Sequence, residues 1–123
     1  MNGNNYVDYA MRTNDGKSTL RLHDTILTDS ADIGGILNAC LGLSGEVGEF
    51  NDMIKKWIFH EKDFDEVHAK KELGDVMWYV ALMCDSFGWN LDEILEMNVD
   101  KLKARYPLGF SPQLANNRKE GDV

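Results

Sequence analysis

One uninterrupted apolar run, residues 76–84, constrains the fold of this chain more than any other feature. It occupies the second half of a segment, about 65–87, that is predicted to form a single helix. A helix that is apolar on every side is buried on every side, and a chain of 123 residues can hardly enclose one helix completely. We therefore expect a second copy of the protein to cover part of this segment.

Two other segments carry apolar residues at a helical period. The first begins near Asp29 or Ser30, which are good N-cap residues, and continues to about residues 57–59. The second follows Asn90, which is predicted to cap it, and stops at Pro107, which cannot continue a helix. Together with the helix that contains the apolar run, these segments predict three long helices.

The remaining parts of the chain are shorter or more polar. Residues 6–11 predict a short helix, whereas the polar stretch 13–30 shows no sustained period and is expected to form a long loop. We predict one all-α domain over residues 1–123, an antiparallel bundle of four main helices that is oligomeric. Its core is expected at about 30–107, and residues 108–123 are expected to form an irregular tail.

Composition excludes several classes of partner. The formal net charge is −8, whereas general affinity for nucleic acid or for anionic membranes requires a basic surface. No apolar run approaches the length of about 18 residues that a membrane helix needs, and the polar first residues do not resemble a signal peptide. Cys40 and Cys84 lie in apolar helical stretches, which is typical of buried, reduced thiols. We expect a cytoplasmic protein with no nucleic-acid partner and no membrane partner.

Two acidic pairs lie in the predicted helices: Glu46 with Glu49, and Glu72 with Asp75. Residues three apart share one face of a helix, with Cβ atoms about 5–6 Å apart. If the two helices pack antiparallel, the four carboxylates can surround one point. Like charges at such a distance repel each other unless a cation lies between them.

Oxygen ligands of this kind suit Mg²⁺, which usually shares its coordination sphere with water and with substrate phosphates. The alternative interpretation is structural: the acids could form salt bridges with Lys70 or Lys71, or across helices. Glycines beside the first pair (Gly42 and Gly45) favour close approach by a neighbouring backbone or a ligand, and a kinked helix is the alternative there.

Four polar residues could complete a nucleotide site. Lys56 lies two turns after Glu49 on the same helix face, and Asn98, Lys101 and Arg105 follow the inner face of the last helix. Together they would suit a triphosphate. Taken singly, each has a structural alternative. Lys56 could be a solvated lysine at a helix end, and Asn98 a hydrogen-bonded core asparagine. The side chains of Lys101 and Arg105 could extend along apolar surface so that their charged ends reach water.

Four stretches, in this order, resemble the MazG-like all-α nucleoside triphosphate pyrophosphohydrolases, and most closely their short, single-domain bacterial and phage-type members. These stretches are residues 42–50, 55–56, 71–79 and 98–107, and the resemblance covers about residues 37–107. The resemblance implies ligation of Mg²⁺, or of Mn²⁺ in its place, by Glu46, Glu49, Glu72 and Asp75. It also implies nucleotide contacts from Tyr79, Asn98 and Lys101, and extends to Arg105 and Lys56.

The activity that the resemblance implies is hydrolysis of ribo- or deoxyribonucleoside triphosphates between the α- and β-phosphates, which cleans the nucleotide pool. One carboxylate would act as general base, and position favours Glu46 or Glu49. Lys101 and Arg105 would stabilise phosphate charge. We expect a homodimer or homotetramer. The alternative function is a non-catalytic helical interaction module whose acids form interchain salt bridges.

Overall fold

The structure is a computed structural model that describes all 123 residues, and it contains helices and no β-strand. A 3-10 turn (Met11–Thr13) follows the first of six α-helices. These helices are α1 (Gly3–Ala10), α2 (Ser18–Thr28), α3 (Ile33–Phe59), α4 (Glu66–Phe87), α5 (Leu91–Arg105) and α6 (Pro112–Asn116). The predicted all-α class is confirmed. None of the helices combines the length and apolarity needed to cross a membrane.

An antiparallel hairpin of α3 and α4 contains most of the contacts between helices. Residue numbers fall along one helix as they rise along the other, so that Gly35 lies against Ser86 and Gly42 against Tyr79. A Cβ atom at position 42 would lie 2.1 Å from the Tyr79 ring. Glycine at this position therefore allows the close approach that the sequence predicts. At Gly45 a Cβ would meet no atom within 4 Å, and α3 continues through both glycines.

The ends of the hairpin are defined by local hydrogen bonds. Asp32 and Asp65 are the N-caps of α3 and α4, and each side chain accepts a hydrogen bond from a backbone amide in the first turn. The backbone N–H of Asp32 also donates to the carbonyl of Ser86 (3.0 Å), which ties the start of α3 to the end of α4. Gly88 ends α4 with a φ of 72°, a left-handed conformation that favours glycine.

The prediction of a long loop over residues 13–30 is wrong, because Ser18–Thr28 form α2, which packs against α3. Its polar side chains satisfy each other locally. Arg21 forms an ion pair with Asp15, and the hydroxyls of Thr25 and Thr28 donate to backbone carbonyls one turn earlier. Leu22 and Ile26 lie one turn apart on this helix, so a helical spacing of apolar residues was present in a stretch that is polar overall.

Very few side chains are buried within one chain. Only Ala39, Ala69, Cys84 and Ser86 are buried, and Trp78 in the apolar run is 58% exposed. The predicted burial of Cys40 is wrong, since this thiol is exposed. The accessible surface is 10158 Å², compared with about 6,700 Å² expected for a compact monomer of this mass. A single chain therefore leaves the apolar run largely uncovered, and α5 packs only sparsely on the hairpin.

Candidate metal centre

The α3–α4 hairpin brings the predicted acids together. One carboxylate oxygen from each of Glu46, Glu72 and Asp75 lies within 4.8 Å of the other two. Glu49, the fourth predicted acid, lies outside this group of three and lines the adjoining cavity together with Glu72. Glu46 and Glu49 lie on one turn of α3, and Glu72 and Asp75 lie on one turn of α4. These two turns face each other in the antiparallel hairpin.

Two oxygen atoms in this cluster are buried without any hydrogen-bond partner: Oε2 of Glu46 and Oε2 of Glu72. Buried carboxylate oxygens are costly unless a donor or a cation satisfies them. None of the four acids forms an ion pair with a lysine or an arginine of the same chain. Lys70, a possible partner suggested by the sequence, pairs with Glu66 instead, at 3.0 Å. The unpartnered oxygens therefore fit a divalent cation held by oxygen ligands.

Crowding of negative charge shifts the protonation of the cluster. A hydrogen bond shared with Glu72, then burial, then the negative charges of Glu49, Glu72 and Asp75 raise the pKa of Glu46 to about 7. Glu72 also raises the pKa of Glu49. In contrast, hydrogen bonds from Glu46, Glu49 and His68 lower the pKa of Glu72. Without a cation, the cluster thus retains protons that isolated carboxyl groups would lose.

A cavity of about 540 Å³ adjoins the cluster and has Glu49 and Glu72 in its wall. Lys56 lies in the same wall, with its Nζ atom 2.7 Å from a carboxylate oxygen of Asp52. Phe64, which follows α3, also lines the cavity and packs on Trp57 with ring centroids 4.9 Å apart. Lys56 thus lies in the same cavity wall as Glu49 and Glu72, and its contact with substrate stays a prediction.

The other predicted substrate contacts lie elsewhere. The Tyr79 ring packs on α3 one turn beyond Asp75, whereas Asn98, Lys101 and Arg105 line a separate cavity of about 780 Å³ between α5 and the C-terminal tail. Within one chain, the residues of α5 do not meet the acids.

The Arg105 guanidinium is already occupied by a carboxylate. It donates two hydrogen bonds to Asp122, at 2.7 and 2.8 Å, and its side chain is 8% exposed. This ion pair raises the already high pKa of Arg105 and lowers the pKa of Asp122. The expectation that Arg105 is available to phosphate is not met in this conformation. Asp122, which lies in the predicted irregular tail, gave no signal in the sequence as a partner for α5.

Sequence reasoning also missed His68. Its Nε2 atom lies 3.0 Å from Oε1 of Glu72, and the imidazole lines the cavity beside the acids. The spacing of four residues, which places two side chains on one helix face, was a signal that could have identified this contact.

Comparison with known proteins gives an independent result. Residues 36–110 match the family described as "MazG nucleotide pyrophosphohydrolase domain". The Gene 37 protein of Mycobacterium phage L5 is 35% identical over 97 residues, which cover 73% of this chain and 82% of that protein. No solved structure matches this chain.

The raised pKa values predict how the stability of the metal-free protein depends on pH. A carboxyl group whose folded pKa is raised contributes stability at low pH, and this contribution is lost as pH rises through the folded pKa. For Glu46 this loss of stability occurs between pH 4.5, its ordinary pKa, and about pH 7, its raised pKa. The lowered pKa of Glu72 affects stability only below 4.5. The melting temperature in excess chelator should therefore fall across this window.

Glu46→Gln is the matched variant, because it keeps the shape of the side chain and removes its titration. Its melting temperature in chelator should depend less on pH than that of the wild type. A wild-type melting temperature that rises or stays level across the same window would contradict the electrostatic description of the cluster.

Proposed function

Because this chain belongs to the MazG nucleotide pyrophosphohydrolase family, we propose that it hydrolyses nucleoside triphosphates between the α- and β-phosphates. The products are a nucleoside monophosphate and pyrophosphate, and the role is to clean the nucleotide pool of the cytoplasm. The observation that carries the proposal is the cluster of three carboxylates within 4.8 Å, two of which have buried oxygens without partners.

Glu46, Glu49, Glu72 and Asp75 are the proposed ligands of Mg²⁺ or Mn²⁺. Bound metal would neutralise phosphate charge and lower the pKa of the water that attacks. Glu46 or Glu49 accepts the proton from this water. The position of Glu49 in the wall of the cavity, where substrate and the attacking water would lie, supports this assignment for Glu49.

The cavity beside the acids is the proposed entrance for the polyphosphate. Lys56 supplies positive charge there after it exchanges its contact with Asp52 for one with phosphate. Tyr79, Asn98, Lys101 and Arg105 are proposed to bind other parts of the nucleotide. Arg105 must first separate from Asp122, and the α5 residues must reach the acids from elsewhere in an assembly, because one chain keeps the two sites apart.

An assembly is supported by the exposed apolar surface. The accessible surface exceeds that expected for a compact monomer by about 3,500 Å², whereas a standard interface buries about 800 Å² per partner. Trp78 and Met77 in the apolar run are each more than half exposed. We propose a homodimer or a homotetramer in which a second copy covers this part of α4.

Light scattering tests the assembly. At micromolar concentration, we expect a mass of two or four times the chain mass of 13.9 kDa. A stable monomer that shows a cooperative melting transition would remove the burial argument.

The reaction is tested by incubating the protein with Mg²⁺ and a panel of ribo- and deoxyribonucleoside triphosphates, and then separating the products by chromatography. We expect monophosphate and pyrophosphate. Asp75→Asn should lower turnover by more than the roughly 10–100-fold that is typical of residues that only support a ligand. Glu66→Gln is the matched control, because Glu66 lies on the same helix and is exposed; its turnover should be unchanged.

Diphosphate and orthophosphate as products would show that the wrong bond is proposed. If no triphosphate is hydrolysed although the folded protein binds Mg²⁺, the proposed reaction is wrong, and the non-catalytic helical module becomes the better description.

A further inference from the structure

His68 makes the only ion-pair contact with any of the four acids. It lies one turn before Glu72 on α4, and its Nε2 atom lies 3.0 Å from Oε1 of that carboxylate. The imidazole is about half exposed at the cavity, whereas the Glu72 side chain is 14% exposed. The contact therefore joins an accessible donor to a carboxylate that is largely buried.

The two oxygens of Glu72 have different environments. Oε1 accepts the hydrogen bond from His68, and Oε2 is buried without any partner. We propose that His68 is a positioning residue for Glu72: it engages Oε1 and thereby keeps Oε2 available to a divalent cation. This inference rests on the metal site in the proposed function and adds a residue to which that function assigns no role.

Repulsion is the physical reason why Glu72 needs such support. Glu46, Glu49 and Asp75 surround it, and a free carboxylate in that position would lower its energy by turning towards water. A neutral imidazole that donates through Nε2 is sufficient to oppose this rotation, because a carboxylate only needs to accept. The backbone N–H of His68 is itself bonded to the N-cap Asp65 at 3.0 Å, which fixes the turn from which the imidazole projects.

The same helix contains a pair that distinguishes positioning from simple helix stabilisation. Lys70 and Glu66 have the same spacing and the same 3.0 Å distance, but both side chains are more than 70% exposed. Such surface pairs contribute little to stability. If the contact of His68 were only another pair of this kind, its removal would have no more effect on metal binding than the removal of Lys70.

The test is a titration with Mn²⁺, in which free Mn²⁺ is followed by electron paramagnetic resonance. His68→Ala should weaken Mn²⁺ binding by about 10-fold, within the range known for groups that orient metal ligands. His68→Gln, whose amide can donate to Oε1, should bind within about threefold of the wild type. Lys70→Ala should bind as the wild type does. Melting temperatures in chelator show whether each variant is folded.

Equal Mn²⁺ affinity in His68→Ala and the wild type would overturn the inference, and so would a His68→Gln protein as weak as His68→Ala. If the alanine variant does not fold, His68→Leu takes its place, because leucine also lacks the donor and should weaken Mn²⁺ binding by about the same 10-fold. A wild type that binds Mn²⁺ but hydrolyses no triphosphate would refute the proposed reaction and leave the role of His68 intact. A wild type that binds no Mn²⁺ would refute both.

Discussion

Repulsion among carboxylates on two facing helices is the constraint on which this structure depends. The antiparallel register of α3 and α4 places Glu46, Glu72 and Asp75 within 4.8 Å of one another. Two contacts that hold this register lie on the same side of the acids, towards the start of α3 and the end of α4. The Tyr79 ring packs on the Gly42 backbone, and further along the hairpin the backbone N–H of Asp32 donates to the carbonyl of Ser86. Packing of neutral groups therefore holds together charges that would otherwise separate.

The same repulsion explains the chemistry of the site. Carboxyl groups that cannot move apart reduce their charge by retaining protons, as Glu46 does, or by hydrogen bonding to a donor, as Glu72 does with His68. A divalent cation would satisfy the two unpartnered oxygens as well. A site of this kind stores electrostatic energy in the absence of metal and releases it on binding, which is a general way for a protein to obtain affinity from a strained arrangement.

Most of this could be predicted from the sequence, because the signals are local. The apolar period locates α3 and α4, although α3 starts at Ile33, after the N-cap Asp32, rather than near Asp29 or Ser30. Acids three residues apart predict the cluster. The helix α2 was missed because its few apolar residues, such as Leu22 and Ile26, lie in a stretch that is polar overall. The pairing of Arg105 with Asp122 was missed because it joins residues 17 apart through a tail without a recognisable pattern.

The central claim is that the acids of the hairpin bind a divalent cation. The most direct measurement is anomalous diffraction at the manganese edge from crystals grown with Mn²⁺. The account predicts an anomalous peak within coordination distance of carboxylate oxygens from Glu46, Glu72 and Asp75. Absence of a peak there, with lysine or arginine side chains of a second copy in contact with these carboxylates, would contradict it.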